Sequence, residues 1–163
     1  MITSLILGSA FLGAWSGSGT YGQSIITQEC ASVKLEVALD TRADESGDEV
    51  PSVFHVRRYE TDCQGGNFGW EERSLEVKDD GALYDAEGEP VGWISDEKIT
   101  WIKALNALTW YEYEMSFDEE GRMVFVDRLT NGLKDLIRVD AVMDFVPPAD
   151  DAVIVEKCLG SFC

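Results

Sequence analysis

From Trp15 to Val146 the chain is a succession of short segments in which apolar and polar residues alternate, broken by turns rich in Asp, Gly and Pro. A period of two sets one side of each segment against a core and the other in water, as in a half-buried β-strand. No βαβ alternation, linker or internal repeat interrupts the pattern. The chain therefore reads as all-β, either barrel or sandwich. Consecutive short hairpins favour an up-and-down meander, and closure removes exposed edges. The expectation is one antiparallel up-and-down β-barrel of about ten strands.

The segments follow in order. Trp15, Gly17, Gly19 and Tyr21 share one face of the first. Val33, Leu35, Val37 and Leu39 alternate with Lys34, Glu36, Ala38 and Asp40 in the next, and an acidic loop from Thr41 to Ser52 leads into Val53–Thr61. With Leu39 opposite Phe54, Val37 meets Val56, Leu35 meets Arg58, Glu36 meets Arg57, and Cys30 falls opposite Cys63. Later strands are expected over Phe68–Val77, Ala82–Asp85, Val91–Ile94, Ile99–Leu105, Leu108–Phe117, Arg122–Thr130 and Leu133–Val146. Lys98–Tyr113 also suits a helix, but Ile, Thr, Trp and Tyr dominate it and hairpin turns flank it, so it is read as strand.

The chain has 163 residues, enough for one domain with a proper core. Its formal net charge of −18 repels phosphate backbones and anionic lipid, which argues against nucleic acid and membrane docking. A basic protein partner stays open beside the simpler account, a solvated acidic surface. Residues 1–14 form an apolar opening that is too short to span a bilayer and lacks a basic stretch before Leu5. It reads either as a signal remnant or as a plug packed on the barrel. The barrel domain is expected over 15–146, with a tail at 147–163. Four cysteines suit two disulfides; the register favours Cys30 with Cys63, which leaves Cys158 with Cys163. Disulfides point to a periplasmic or secreted protein.

Leu12-Gly13-Ala14-Trp15-Ser16-Gly17-Ser18-Gly19 resembles the opening strand of the calycin-type barrels: lipocalins, fatty-acid-binding proteins and the nitrobindin-like domains. The resemblance covers these eight residues and the strand count. It implies that Trp15 closes one end of the barrel, with Arg138 on the last strand as its basic partner. Nitrobindin-like proteins hold haem through a C-terminal histidine. No histidine follows His55 here, so a haem role carries over to no residue, and no cofactor is expected.

The two C-terminal hairpins suggest a site. A turn over Asp118–Gly121 sets Phe117 opposite Arg122, Met115 opposite Val124, Tyr113 opposite Val126 and Tyr111 opposite Arg128. A two-residue Asn131-Gly132 turn sets Arg128 opposite Asp135. The inner face would then carry Tyr113, Met115, Phe117, Val124, Val126, Ile137, Val139, Ala141, Met143 and Phe145. Tyr111, Arg128 and Asp135 would form a polar anchor at its mouth for an anionic group, or an ion pair that merely closes the end. Arg58 and Glu60 continue the inward face of Phe54 and Val56. Trp70, Trp93, Trp101 and Trp110 either line a pocket or fill the core. His55 falls on the outer face, without a visible partner for general-base work. The acidic turns follow no EF-hand spacing, so no metal is expected.

Three functions fit these residues. The first is non-enzymatic binding of a small, mostly apolar molecule, with Arg128, Tyr111, Asp135, Tyr113, Arg58 and Trp110 as contacts. The second is a structural or protein-interaction barrel with a filled core and an acidic surface. The third is a calycin-type isomerase, cyclase or decarboxylase. An interior cavity of roughly 300 Å³ or more marks a carrier; Trp70, Trp101 and Tyr113 packed inside mark a filled barrel.

Overall fold

The computed structural model describes residues 6–22 and 28–148, with the backbone alone for Gln28, Asn67 and Phe68. Ten strands follow in chain order: β1 (Gly13–Gly22), β2 (Gln28–Ala43), β3 (Glu49–Asp62), β4 (Asn67–Val77), β5 (Ala82–Tyr84), β6 (Pro90–Ile94), β7 (Lys98–Ala104), β8 (Trp110–Phe117), β9 (Met123–Thr130) and β10 (Asp135–Val146). Each pairs antiparallel with the next, and β1 pairs with β10, so the sheet closes into an up-and-down barrel. Among the described residues no helix is long and apolar enough to cross a membrane.

The β2–β3 register is the one expected: Leu39 faces Phe54, Val37 faces Val56, Leu35 faces Arg58 and Glu36 faces Arg57. Apolar residues on both strands then meet on one side, and a slip of one residue would turn them all to water. A Cys30–Cys63 disulfide ties the end of this hairpin, with Cα atoms 5.4 Å apart. Cys158 and Cys163 lie outside the described residues.

Glycine makes the closing seam possible. A Cβ on Gly17 would collide with the Val142 carbonyl oxygen, and one on Gly19 with the Asp140 carbonyl oxygen. Both glycines therefore let the β1 and β10 backbones approach more closely than any side chain permits.

A repeated turn sets the register of the hairpins. Asp44, Asp62, Asp85 and Asp118 each accept, through Oδ1, the backbone N–H groups two and four residues ahead, at 2.7–3.0 Å. Gly47, Gly65, Gly88 and Gly121 stand three residues ahead, with φ of 84°, 97°, 81° and 78°. The unit is a type I turn followed by a left-handed glycine, the three-residue hairpin connection that carries a G1 bulge.

This turn overturns the expected β8–β9 register. Asp118 pairs with Arg122 across the loop, so Phe117 faces Met123 instead of Arg122. Tyr113 then faces Asp127, Glu112 faces Arg128, and Tyr111 faces Leu129. Met123, Phe125 and Asp127 turn inward, while Val124, Val126 and Arg128 turn outward, the reverse of the expectation. The Asn131-Gly132 turn differs too. Asn131 Oδ1 accepts the N–H groups of Leu133 and Lys134, so the loop has four residues, and a bulge follows between Asp135 and Ile137. Arg128 therefore faces Arg138 rather than Asp135.

One end of the barrel is filled. A 3-10 turn at Ser9–Phe11 packs across it, Phe11 stacks on Phe117 at 4.7 Å, and Trp15 donates its indole N–H to the Phe11 carbonyl at 2.9 Å. The described part of the 1–14 segment is thus packed on the core, with Phe11 fully buried. Trp15 meets Phe145 edge-on at 5.3 Å. Arg138 does not serve as its basic partner: it pairs with Gly22 at the other end of β1 and binds Asp140 and Asp135 outside.

Candidate functional site

From the filled end a column of rings climbs the interior. Phe54 packs on Trp101 at 5.5 Å, Trp101 stacks on Tyr113 at 5.2 Å, and Tyr113 stacks on Tyr111 at 6.1 Å. Trp101 and Tyr113 are each 2% exposed and fill the middle of the barrel. Trp70 and Trp93 stand outside, more than half exposed.

Above Tyr113 the interior becomes polar. The same alternation that buries Phe54 and Val56 carries Arg58 and Glu60 inward on β3, Glu71 faces Arg58 from β4, and Asp127 enters from β9. Arg58 Nη1 donates to Glu60 at 2.8 Å and to Asp127 at 3.4 Å; its Nη2 donates to Glu71 at 3.2 Å and to the Tyr113 hydroxyl at 3.3 Å. Its guanidinium also lies over the Tyr113 ring, 4.9 Å from the centroid. Glu60 Oε1 is buried without a hydrogen-bond partner. A cavity of about 250 Å³ adjoins these groups, bordered also by Tyr21, Tyr111, Ile137 and Val139.

The wall beside this cavity is partly made of side chains. β5 pairs only with the last two residues of β4, which leaves a notch between the rest of β4 and β7. Arg73 bridges it by donating to the Ile102 carbonyl at 2.7 Å, and Lys103 by donating to Glu71 at 3.2 Å. Lys103 is half exposed, so it stands at the rim.

Gly69 makes room for the ion pair. A Cβ there would sit 2.6 Å from Arg58 Nη1 and 3.0 Å from Glu60 Oε2. An interior strand glycine that marks a close approach was the available sequence signal for this spot.

Burial sets the protonation of the cluster. Burial opposes the Arg58 charge, but Glu60, Tyr113, Asp127 and Glu71 outweigh it and raise the pKa above the ordinary arginine value. Burial pushes the Glu60 carboxyl up to about 9; Asp127 adds to the push and Arg58 offsets only part of it. Burial also raises Asp127, against the pull of Arg58 and of a hydrogen bond with Glu60. Both carboxyls are thus raised, and the pair holds a proton to higher pH than an ordinary carboxyl does.

Comparison with known families and curated proteins finds no family model and no curated sequence that matches the chain.

The structure brings Tyr111, Tyr113 and Arg58 together and takes Arg128, Asp135 and Trp110 elsewhere. Arg128 lies outside the barrel and donates to Glu112 through Nε at 2.8 Å; Asp135 sits 3.8 Å from Arg128 and 3.3 Å from Arg138. Against the upward pull of burial, hydrogen bonds from Trp110 and Arg128 hold the Glu112 carboxyl below its ordinary value. Arg128 and Arg138 border an outer groove of about 430 Å³ with Trp93 and Ile102, where their charges are already matched by acids.

His55 has partners that its sequence did not reveal. Nδ1 lies 2.7 Å from Ser74 Oγ and Nε2 lies 2.8 Å from Asp40 Oδ2. The order is that of a nucleophile, base and acid. The row lies across the outer faces of β2, β3 and β4, with the His55 side chain 20% and Asp40 64% exposed.

Proposed function

We propose that this protein is a non-enzymatic binder of a small molecule, which it takes into the polar mouth of the barrel. The observation that carries the reading is the cavity of about 250 Å³ bordered by Arg58, Glu60, Asp127 and the rings of Tyr111 and Tyr113. The cavity, about 250 Å³, falls short of the roughly 300 Å³ expected of a carrier of drug-sized molecules, so the reading is restricted to a compact ligand. The filled middle favours a polar ligand at the mouth over the small, mostly apolar one that the sequence suggested. The Gly13-x-Trp15 strand, with Trp15 at the closed end, supports a calycin-like ancestry. The Cys30–Cys63 disulfide supports export to an oxidising compartment.

A fragment screen by two-dimensional NMR tests this. Small polar fragments are expected to shift the amides of Tyr111, Tyr113, Asp127 and Val139 together. A screen that moves none of them contradicts the reading.

A second reading rests on Trp101 and Tyr113, which occupy the middle of the barrel. It makes the protein a filled scaffold that meets a basic partner through its acidic surface. In that case fragments leave the mouth untouched, and a basic protein shifts the outer strands instead.

A further inference from the structure

We infer that the mouth end of the barrel docks on a neutral phospholipid surface, with Leu108 and Leu133, at the tips of two neighbouring loops, entering the headgroup layer. This holds whether or not the mouth cavity carries a ligand.

The two ends of the barrel are unlike. At the filled end the loops 44–48, 78–81, 95–97 and 118–122 carry three, two, two and three acidic residues, and no apolar side chain. At the mouth the described loops 63–66, 105–109 and 131–134 carry no acidic residue, and Lys134 is their one charge. Asp62 and Asp135 flank them at strand ends. Asp135 is matched by Arg128 and Arg138, and Asp62 accepts the N–H groups of Gln64 and Gly66. The acidic 85–89 turn is set back from the mouth, because β5 ends at Tyr84 opposite Glu76 while β4 begins at Asn67.

The acid-free end is also the one with apolar tips. Leu133 is 94% and Leu108 76% exposed, with Leu105 at 57%. The two loops adjoin: Trp110 pairs with Thr130, and a Cβ on Gly132 would sit 3.0 Å from the Trp110 ring. Leu12, Phe145 and Val146, at the filled end, are each less than half exposed and share that end with the acidic loops. Trp70, which borders the mouth cavity, faces Tyr59 across β3 and β4 on the outer wall, and both rings are exposed. Rings with a polar edge suit the headgroup layer.

The tips are built to leave water. Asn106 Oδ1 accepts the N–H groups of Leu108 and Thr109, both at 2.9 Å. Asn131 Oδ1 accepts those of Leu133 and Lys134, both at 3.0 Å. Backbone donors that would otherwise need water are thus met inside the loop. At the filled end Asp44 and Asp118 do this work with a carboxylate; at the mouth an amide does it without a charge.

Charge and shape select the occupant. The net charge of −18 repels an anionic surface, but a neutral one meets the end from which the acidic loops point away. Single leucines on separate tips form no flat patch for a protein partner, whereas a soft interface admits them one by one.

Co-flotation of the full chain with phosphatidylcholine vesicles tests this. The chain should float, and Leu108→Ser with Leu133→Ser should lower its partition coefficient about tenfold or more. Asn106→Asp with Asn131→Asp keeps both turn acceptors, adds two charges, and should lower it as far. Vesicles with about one-third phosphatidylglycerol should bind less, and added salt should recover the loss. No flotation, or flotation that both double variants retain, overturns the proposal. Flotation that strengthens with anionic lipid overturns it too, because Lys103 and Lys134 would then carry the contact. A dimer in light scattering that Leu108→Ser with Leu133→Ser splits, without flotation, assigns the leucines to a second copy instead.

Discussion

Glu60 on β3 and Asp127 on β9 approach the same nitrogen, Arg58 Nη1, at 2.8 and 3.4 Å. Two carboxyl groups brought to one buried donor cannot both ionise cheaply, and the proton they retain ties folding to pH. In the folded chain Glu60 is pushed from its ordinary 4.5 to about 9. Its contribution to stability is full below about pH 4.5 and is lost as pH rises towards 9. The slope is at most about 1.4 kcal/mol per pH unit for one proton. Urea melts between pH 5 and 9 should show stability falling with pH, and Glu60→Gln should flatten that fall. Glu112, held low, acts in the opposite direction only below its ordinary value of 4.5 and leaves this window untouched.

Removing the central cation is worse than removing one of its partners. Arg58→Met leaves Glu60, Asp127 and Glu71 facing one another without the guanidinium. Loss of one member of a buried pair costs about 3–5 kcal/mol. Adding Glu60→Gln and Asp127→Asn to Arg58→Met should restore part of the loss, because Glu71, which keeps its bond from Lys103, is then the one acid left of the three. Denaturant melts of the single and triple variants measure both effects.

The seam between β1 and β10 predicts a contrast between glycines. Gly17→Ala places a methyl group against the Val142 carbonyl and should cost at least the ~1–3 kcal/mol of an overpacked site. Gly47→Ala, in an open turn at φ 84°, meets no atom within 4 Å and should cost only the left-handed backbone penalty of about 1–2 kcal/mol. Thermal melts of the two variants separate crowding from backbone strain.

Cys30 and Cys63 are 33 residues apart, and the bridge limits the unfolded chain by about 3–4 kcal/mol in the loop-entropy account. The double variant Cys30→Ala, Cys63→Ala should lose that much stability without opening the barrel. Circular dichroism should keep the strand signal while the melting temperature falls.

How far the sequence discloses this molecule depends on the turns. In β2 and β3, four apolar positions on one strand and two on the other admit one register only, and Arg58 and Glu60 follow Val56 inward. The acidic loop there absorbs its irregularity outside the apolar pairs. At Asp118-Glu119-Glu120-Gly121 the loop is one residue shorter than its apparent four, because Asp118 joins the ladder by pairing with Arg122. That single residue exchanges Arg128 for Asp127 at the mouth. Hydrophobic pattern could not detect the slip, since Val124, Phe125, Val126 and Leu129 are apolar on both faces. The four Asp-x-x-Gly turns carry the missing signal: read together as one bulged hairpin, they set the register that places Asp127 beside Arg58.

The most direct test of the mouth as a ligand site is native mass spectrometry on protein purified gently from its own source. The account predicts a small added mass that leaves on denaturation and is absent from the Glu60→Gln variant. A bare chain in both, under conditions mild enough to preserve weak complexes, would contradict it and leave a filled barrel whose work is done on its outer surface.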